Sequence, residues 1–244
     1  MGTSRHQIVV SGIAVEIVRK TIKNLHLGVY PPDGRVRVAV PLAVSDEAVR
    51  LAVVGKLAWI KRQRATFAAQ PRQPARRMVS GETHYVMGRA YRLRVVALEP
   101  HHRAKVVLAS RSWLELHVPP DTDPEYRRQV LNRWYRRGLR ERIPALLAKW
   151  QPVIGVAAAA WGIRKMKTKW GSCNPAARRI WLNLELAKKP PECLEYIVVH
   201  ELVHLLERRH GARFAAFMNQ SLPHWRLCRD ELNRAPLAHE EWQY

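Results

Sequence analysis

The segment VVHELVHLLERRH, residues 198–210, determines the interpretation of this chain, because it brings three histidines and Glu201 close together in sequence. On an α-helix, His200 and His204 are four residues apart and project from the same face, so two imidazole nitrogens can meet one metal ion. Glu201 lies beside that face, where a carboxylate can act as a general base toward water without being a ligand. His210, after the helix, is the expected third ligand. The pattern predicts a hydrolytic zinc centre with one Zn²⁺ per chain.

The residues around the motif favour a buried helix. Ile197, Val198, Leu202 and Leu205 recur at helical spacing, and the two prolines at 190–191 suit a first helical turn. Gly211 is expected to end the helix. The alternative is a core helix whose histidines are only hydrogen-bonded, but Glu201 would then be buried beside them without a cation, which is costly.

Charge is distributed unevenly along the 244 residues. The net charge is +22, with 28 basic and 11 acidic side chains in residues 1–150 (+17) against 14 and 9 in residues 151–244 (+5). Such a chain attracts polyanions such as DNA at low salt. The candidate nucleic-acid contacts are four arginines of one predicted helix: Arg133, Arg136, Arg137 and Arg140. An ordinary solvated helix face is the competing interpretation.

The chain length permits one large domain or a small one plus a medium one. We expect a β-rich N-terminal region over 13–118 with one helix, from Ser45 to about Phe67, divided into 13–69 and 80–118 by the Pro/Arg-rich segment QPRQPARR (70–77). Alternating stretches around Gly88 predict antiparallel hairpins. No internal repeat is apparent.

The C-terminal part, 119–244, is expected to form a zincin-like helical domain, which makes the fold class α+β. Asp123 and Pro124 should begin a long helix that reaches about Trp150 and is bent or divided at Gly138 and Pro144. Residues 163–184 then suggest a strand, a loop and a returning strand, as a small antiparallel sheet. A strand edge beside the metal can hold an extended peptide by main-chain pairing, although a hairpin that only supports the helix fits equally.

Cysteine usage and hydropathy indicate the compartment. Cys173, Cys193 and Cys228 are widely spaced without a Cys-x-x-Cys pair, which fits a reducing cytosol. The N-terminal residues do not read as a signal peptide, and no apolar run is long enough to span a membrane. A soluble cytoplasmic protein with no membrane partner is therefore expected, and nothing specifies an oligomeric state.

Several segments together resemble one known family. KTKWGSCN, followed by IWLNLELAKKPPECLEYIVVHELVHLLERRHGARF, is similar to the signature of the YgjP-like metallopeptidases, relatives of the SprT-like and WLM-like zinc proteases. RKTIKNLHLGVYPPDGRVRVAVP, KLAWIKRQ and GETHYVMGRAYRL resemble that family's N-terminal region.

The resemblance implies a cytoplasmic zinc-dependent peptidase fold with His200, His204 and His210 as ligands and Glu201 as the catalyst. It also implies that Trp170 and Asn183 form part of the site wall. The SprT-like relatives cut proteins bound or crosslinked to DNA, which agrees with the basic N-terminal part.

One position departs from the extended metzincin motif. A glycine lies midway between the second and third histidines in that motif, whereas this chain has Glu207. The helix could then continue further and displace His210 from the metal. Glu231, on a later predicted helix, is the alternative third ligand, as in the gluzincins.

The expected reaction is peptide-bond hydrolysis, with Glu201 taking a proton from water and later delivering it to the leaving amine. An oxyanion needs a further donor, for which His224 and Arg226 are candidates. Two rival functions remain: a basic nucleic-acid-binding protein with a structural or inactive metal site, and a hydrolase acting on another carbonyl or phosphoryl group.

Overall fold

The computed structural model describes residues 4–30, 33–69, 76–99, 101–166 and 169–234. It divides into two compact units, residues 1–72 and 73–244, each with its own hydrophobic core. Strand-rich segments precede the C-terminal helices, so the predicted α+β class is confirmed. No helix within these ranges is both long enough and apolar enough to cross a membrane.

The first unit is a four-stranded sheet followed by two helices. The strands are β1 (Ser4–Val10), β2 (Ile13–Lys20), β3 (His26–Tyr30) and β4 (Arg35–Pro41), in the order β1-β2-β4-β3. The central β2–β4 pair is parallel and the outer pairs are antiparallel. Alternating buried residues of β2 and β4 pack against α1, giving a core of Val15, Ile17, Val36, Val38, Val40, Val49 and Val53.

Two helices replace the single one predicted over 45–67. Helix α1 spans Asp46–Val54 and α2 spans Leu57–Ala69. The predicted N-cap is confirmed, because Ser45 Oγ accepts a hydrogen bond from the backbone N–H of Ala48 at 3.2 Å. The first helix ends at Gly55, a residue that weakens helix interiors.

The second unit begins with a sheet of the same strand order. Its strands are β5 (Thr83–Val86), β6 (Arg89–Ala97), β7 (Lys105–Leu108) and β8 (Trp113–Val118), ordered β5-β6-β8-β7 with a parallel central pair. Two sheets of one topology form a structural repeat, which the sequence alone did not reveal. Most of the predicted linker, residues 70–75, lies outside the described residues.

Helix α3 (Pro124–Ile154) connects this sheet to the C-terminal elements. Asp123 caps it as predicted, accepting from the backbone N–H of Tyr126 at 2.6 Å. Helix α3 is not divided at Gly138 or Pro144, where a bend or a division was predicted. An uninterrupted buried stripe keeps the helix in one piece on both sides of Pro144: Val130, Leu131, Tyr135, Leu139, Ile143, Leu147 and Trp150.

The remaining elements position the histidine motif. They are β9 (Ala160–Arg164), β10 (Gly171–Asn174), β11 (Arg179–Asn183), a 3₁₀ helix (Leu184–Lys188), α4 (Pro191–Val203), α5 (Ala212–Ser221) and α6 (Trp225–Arg234). The sheet order is β10-β11-β9, so β10 is an edge strand. The sheet is mixed rather than antiparallel, because β9 and β11 are parallel.

The boundary between units differs from the sequence-based division, which placed 80–118 in the N-terminal region. Strands β5–β8 belong to the unit that carries the histidine motif. Buried residues of β6 and β8 share one core with α3 and α4, for example Leu93, Leu116 and Leu139. Such long-range packing is not visible in local sequence patterns.

Candidate metal centre

Helix α4 presents His200 and His204 on one face and ends directly after Val203, with His204 as its C-cap. Backbone hydrogen bonds from Leu206 and Glu207 to the carbonyl of Val203 turn the chain back, at 2.9 Å each. The helix therefore does not continue through Glu207, and His210 is not displaced from the other two histidines, as the alternative based on Glu207 would require. Gly211 does not terminate α4, because it is the N-cap of α5.

The turn brings three imidazoles together. The Nε2 atoms of His200, His204 and His210 form a nearly equilateral triangle with sides of 3.2, 3.1 and 3.1 Å. These are the histidines of the one group of potential metal ligands found in the described residues. Glu231, the alternative third ligand, lies instead on α6, where its charge acts on Cys193 and Cys228.

The triangle fits a tetrahedral zinc ion. Zinc binds imidazole nitrogens at about 2.0–2.1 Å, which places two ligand nitrogens roughly 3.3 Å apart. The Nδ1–H of His204 donates to the carbonyl of Glu207 at 2.9 Å, which leaves a lone pair on Nε2 facing the other two rings. Nitrogen lone pairs this close repel one another unless a cation lies between them.

Neighbouring aromatic rings hold the three histidines. Phe214 of α5 is buried and lies 4.8 or 4.9 Å, centroid to centroid, from each of the three imidazoles. The hydroxyl of Tyr196, one turn before His200, is 3.4 Å from His200 Nδ1. Tyr196 in turn stacks on Trp225 of α6. Sequence analysis missed Tyr196, although its position four residues before His200 was a usable signal.

The surroundings of the histidines favour the neutral form of the imidazole rings, which keeps a free lone pair for a metal ion. Burial, together with the neighbouring His204 and His210, lowers the pKa of His200 to about 3. Burial also lowers the pKa of His204 below its ordinary value of 6.5. Neutral histidine is the form that binds a metal ion.

Glu201 is buried next to the triangle and packs against the edge strand. Its side chain is only 4% exposed, and no described group hydrogen-bonds its Oε2 atom. A Cβ at Gly171 would lie 2.3 Å from Glu201 Oε1, so only glycine at 171 leaves room for this carboxylate. Burial raises the pKa of Glu201 to about 8, although the positive charge of Lys169 opposes that rise.

A cleft of about 720 Å³ opens over the histidines and Glu201. Trp170 and the residues of β10, Gly171–Asn174, form one wall, and Tyr196 of α4 and Arg229 of α6 contribute to the lining. The ammonium of Lys189 lies 5.5 Å from the centre of the Trp170 ring. Trp170 thus occupies the wall position expected from the resemblance.

Asn183 lies behind that wall rather than in it. Its side chain is fully buried and donates to the carbonyls of Met166 and Lys169 at 2.8 and 2.7 Å. Its Oδ1 accepts from the backbone N–H of Glu185 at 3.2 Å. Asn183 therefore fixes the loop that precedes Trp170 and does not face the cleft.

The two expected oxyanion donors are also outside the cleft lining. His224 is exposed in the turn before α6, where its carbonyl accepts from the N–H of Leu227. Arg226 donates to Asn219 Oδ1 at 2.9 Å and lies over the Trp225 ring. Both side chains begin near the N-terminus of α6, whereas Arg229 and Leu232 of that helix line the cleft.

The four arginines of α3 do not form one surface. Arg133, Arg137 and Arg140 are exposed, and Arg137 lies 4.0 Å from Glu141. Arg136 is partly buried and donates to the carbonyl of Ile163, so it connects α3 to β9. Only three of the four remain available to a polyanion.

Comparison with known proteins identifies the family. The YgjP-like metallopeptidase domain matches residues 23–235, which is most of the chain. The chain belongs to the YgjP-like metallopeptidases. The match begins within the first unit and ends one residue after α6, so it covers parts of both units described above. No curated protein matches this YgjP-like chain significantly.

Two solved structures are similar to part of this YgjP-like chain. One is the metallopeptidase zymogen abylysin of Pyrococcus abyssi, with 21% identity and a TM-score of 0.35, covering 37% of this chain and 90% of that one. The other is the zymogen jannalysin of Methanocaldococcus jannaschii, with 20% identity and a TM-score of 0.32, covering 37% and 95%. At such TM-scores the likenesses support no detailed comparison of sites.

Proposed function

We propose that this chain is a zinc-dependent peptidase of the His-Glu-x-x-His type, in which His200, His204 and His210 bind the metal and Glu201 is the general base. The observation that carries the proposal is the Nε2 triangle of 3.1–3.2 Å sides with a buried, unpartnered carboxylate oxygen beside it. A bound zinc ion would supply a Lewis acid that polarises a carbonyl and acidifies water.

Glu201 is suited to moving a proton in this cleft. Its Oε2 has no partner among the described residues, so it is free to hydrogen-bond a water molecule in the cleft. Water attacks the carbonyl carbon of the scissile amide as Glu201 accepts its proton. Glu201 then donates that proton to the departing amine as the C–N bond breaks.

The edge strand β10 can position the substrate. The backbone N–H of Asn183 donates to the carbonyl of Trp170 at 2.9 Å, so this pair is a hydrogen-bonded pair of the antiparallel ladder. Because such pairs alternate along a strand, the main-chain groups of Gly171 and Cys173 are directed to the open edge. An extended peptide paired there would run past Glu201, which contacts Gly171.

The test is cleavage of unfolded protein substrates by the zinc-loaded protein and by Glu201→Gln. We expect the variant to keep one zinc per chain while peptidase activity falls roughly a hundred- to ten-thousand-fold, the typical contribution of acid–base catalysis. Glu192→Gln, an exposed glutamate of the same helix, is the matched control and should retain activity. Unchanged cleavage by Glu201→Gln would refute the assigned base.

A preference for DNA-associated proteins is a second element of the proposal, supported by the exposed row of Arg133, Arg137 and Arg140 along α3. Cleavage of DNA-bound and free proteins, with and without single-stranded DNA, tests it. Replacing the three arginines by glutamine should weaken DNA binding and reduce its salt dependence. Tight DNA binding without any proteolysis would favour the alternative, a nucleic-acid-binding protein with an inactive metal site. Action in a reducing cytoplasm stays a prediction from the cysteine spacing.

A further inference from the structure

The cleft over the histidines is lined mainly by positive charge. Lys169, Arg208 and Arg229 contribute to its lining from three different parts of the chain. Lys169 precedes β10, Arg208 lies in the turn after α4, and Arg229 belongs to α6. Within the described residues, Glu201 is the one carboxylate in the lining.

Two of these cations are available to a ligand. Arg229 is already paired, because its guanidinium lies 2.9 Å from Asp230 Oδ1. Lys169 and Arg208 are exposed, and in the described part of the chain neither forms an ion pair with a carboxylate. Their ammonium and guanidinium groups are therefore free to meet an anion in the cleft.

The two free cations flank the proposed reaction centre. Lys169 is two residues before Gly171, which touches Glu201, and its charge is close enough to act on that carboxylate. Arg208 is two residues before His210, whose Nε2 completes the triangle. A substrate segment lying along β10 would thus pass one cation beside the edge strand and another beside the histidines.

We propose that the cleft selects substrate segments that carry a carboxylate next to the scissile bond, with Lys169 and Arg208 as the specificity-determining cations. The inference rests on the proposed peptidase function and names its substrate class. The carboxylate belongs either to an acidic side chain or to the C-terminus of the bound segment. Exposed charge pairs are partly screened by solvent, so each cation should contribute about two- to five-fold in affinity.

Binding tests this preference independently of cleavage. In the zinc-loaded Glu201→Gln protein, fluorescence anisotropy would compare a short extended peptide containing glutamates with the same peptide containing glutamines, each with a free or an amidated C-terminus. We expect the glutamate peptide to bind more tightly than the glutamine peptide. The ratio of their two affinities should decrease as NaCl is added. Lys169→Gln and Arg208→Gln should each lower that ratio about two- to five-fold.

Controls separate the cleft from the general positive charge of the chain and from the metal. Arg209→Gln removes the same charge from an exposed neighbour that does not line the cleft, and should leave the ratio unchanged. The preference for the glutamate peptide over the glutamine peptide should also persist in the metal-free protein. If the peptide carboxylate were bound only by zinc, removal of the metal would abolish this preference. An effect of amidation alone would assign the carboxylate to the chain terminus.

Equal binding of the glutamate and glutamine peptides would overturn the proposal, unless the free C-terminus alone raises affinity through the same two cations. A ratio that survives in the Lys169→Gln, Arg208→Gln double variant would overturn it as well. Peptidase activity of the wild-type protein is measured separately. Selective binding without cleavage would contradict the peptidase function, and cleavage without acidic preference would contradict only this inference.

Discussion

The two four-stranded sheets of this chain have the same topology and different surroundings. Both begin with a hairpin closed by a two-residue turn whose residues have positive φ, Ser11 (50°) and Gly12 (76°) in the first and Met87 (46°) and Gly88 (81°) in the second. In both, the parallel central pair is flanked by antiparallel outer strands. A capped helix follows each, at Ser45 and Asp123.

The turns of the two hairpins make different contacts. The N–H groups of Met87 and Gly88 donate to the carbonyls of Ala187 and Lys188, just before α4, at 2.9 and 3.2 Å. A Cβ at Gly88 would lie 2.9 Å from Pro190 Cγ, whereas a Cβ at Gly12 would have no described atom within 4 Å. The second sheet therefore supports the start of the helix that carries His200, whereas the first sheet shares a core with the helices of its own unit.

A repeated supersecondary unit therefore takes its role from the elements that pack on it. The two sheets offer equivalent positions at which this difference can be measured.

The largest expected effect comes from equivalent core positions of the two sheets. Ile17 and Leu93 are each five residues beyond the turn glycine and are completely buried. Truncation of either to alanine should cost about 2–5 kcal/mol of its own unit's stability. Leu93→Ala should also weaken zinc binding, whereas Ile17→Ala should leave it unchanged, measured by zinc titration and denaturant unfolding. Loss of zinc affinity in Ile17→Ala would contradict the assignment of this supporting role to the second sheet.

Acid should destabilise the second sheet before the first. Burial lowers the pKa of His84, on β5, from 6.5 to about 4. The unfolded chain therefore binds more protons between these values, so stability present above pH 6.5 is lost as pH falls toward 4, by about 3 kcal/mol. His84→Gln should flatten this part of the stability profile, measured by chemical denaturation at each pH.

The first unit has an acidic group, Asp46 at the start of α1, whose stabilisation is also lost as pH falls, but in a more acidic range. A hydrogen bond from His6 lowers the pKa of Asp46, so the stabilisation from this pair is present above pH 3.8 and is lost only as pH falls through the lower, folded value. Unfolding of the first unit should therefore be insensitive to Asp46 between pH 6.5 and 4. An equal loss in Asp46→Asn and wild type below pH 3 would contradict this assignment.

The smallest expected difference concerns the turn glycines. Alanine at Gly12 or Gly88 has the same unfavourable positive φ, so this part of the cost cancels between the two variants. Gly88→Ala must in addition displace Pro190, which should cost about 1–3 kcal/mol more than Gly12→Ala. Thermal unfolding of both variants measures the difference, and equal losses would mean that the contact with Pro190 relaxes freely.

Local patterns predicted the parts of this structure that depend on near neighbours in sequence. The i,i+4 histidines and the helix caps at Ser45 and Asp123 follow from helical geometry, and the structure has them in place. The α+β class followed from alternation and helical periodicity.

Features that depend on distant residues could not be predicted in this way. The two sheets have the same strand pairing, but their sequences share no residue pattern. Strands β5–β8 belong to the second unit because their buried residues share a core with α3. The cleft cations converge from positions 169, 208 and 229. His224 and Arg226 were predicted as oxyanion donors because their side chains can donate hydrogen bonds. The orientation of α6, which the sequence does not give, places Arg229 in the cleft lining instead.

Zinc content tests the central claim most directly. Elemental analysis of the purified wild-type protein and of His200→Ala, His204→Ala, His210→Ala and Glu231→Ala should give one zinc per chain in wild type and Glu231→Ala. The three histidine variants should contain almost none, because the proposed site has only three protein ligands and each is needed to hold the zinc ion. A protein that keeps its zinc in His210→Ala and loses it in Glu231→Ala would contradict the account, as would a wild-type protein that binds none.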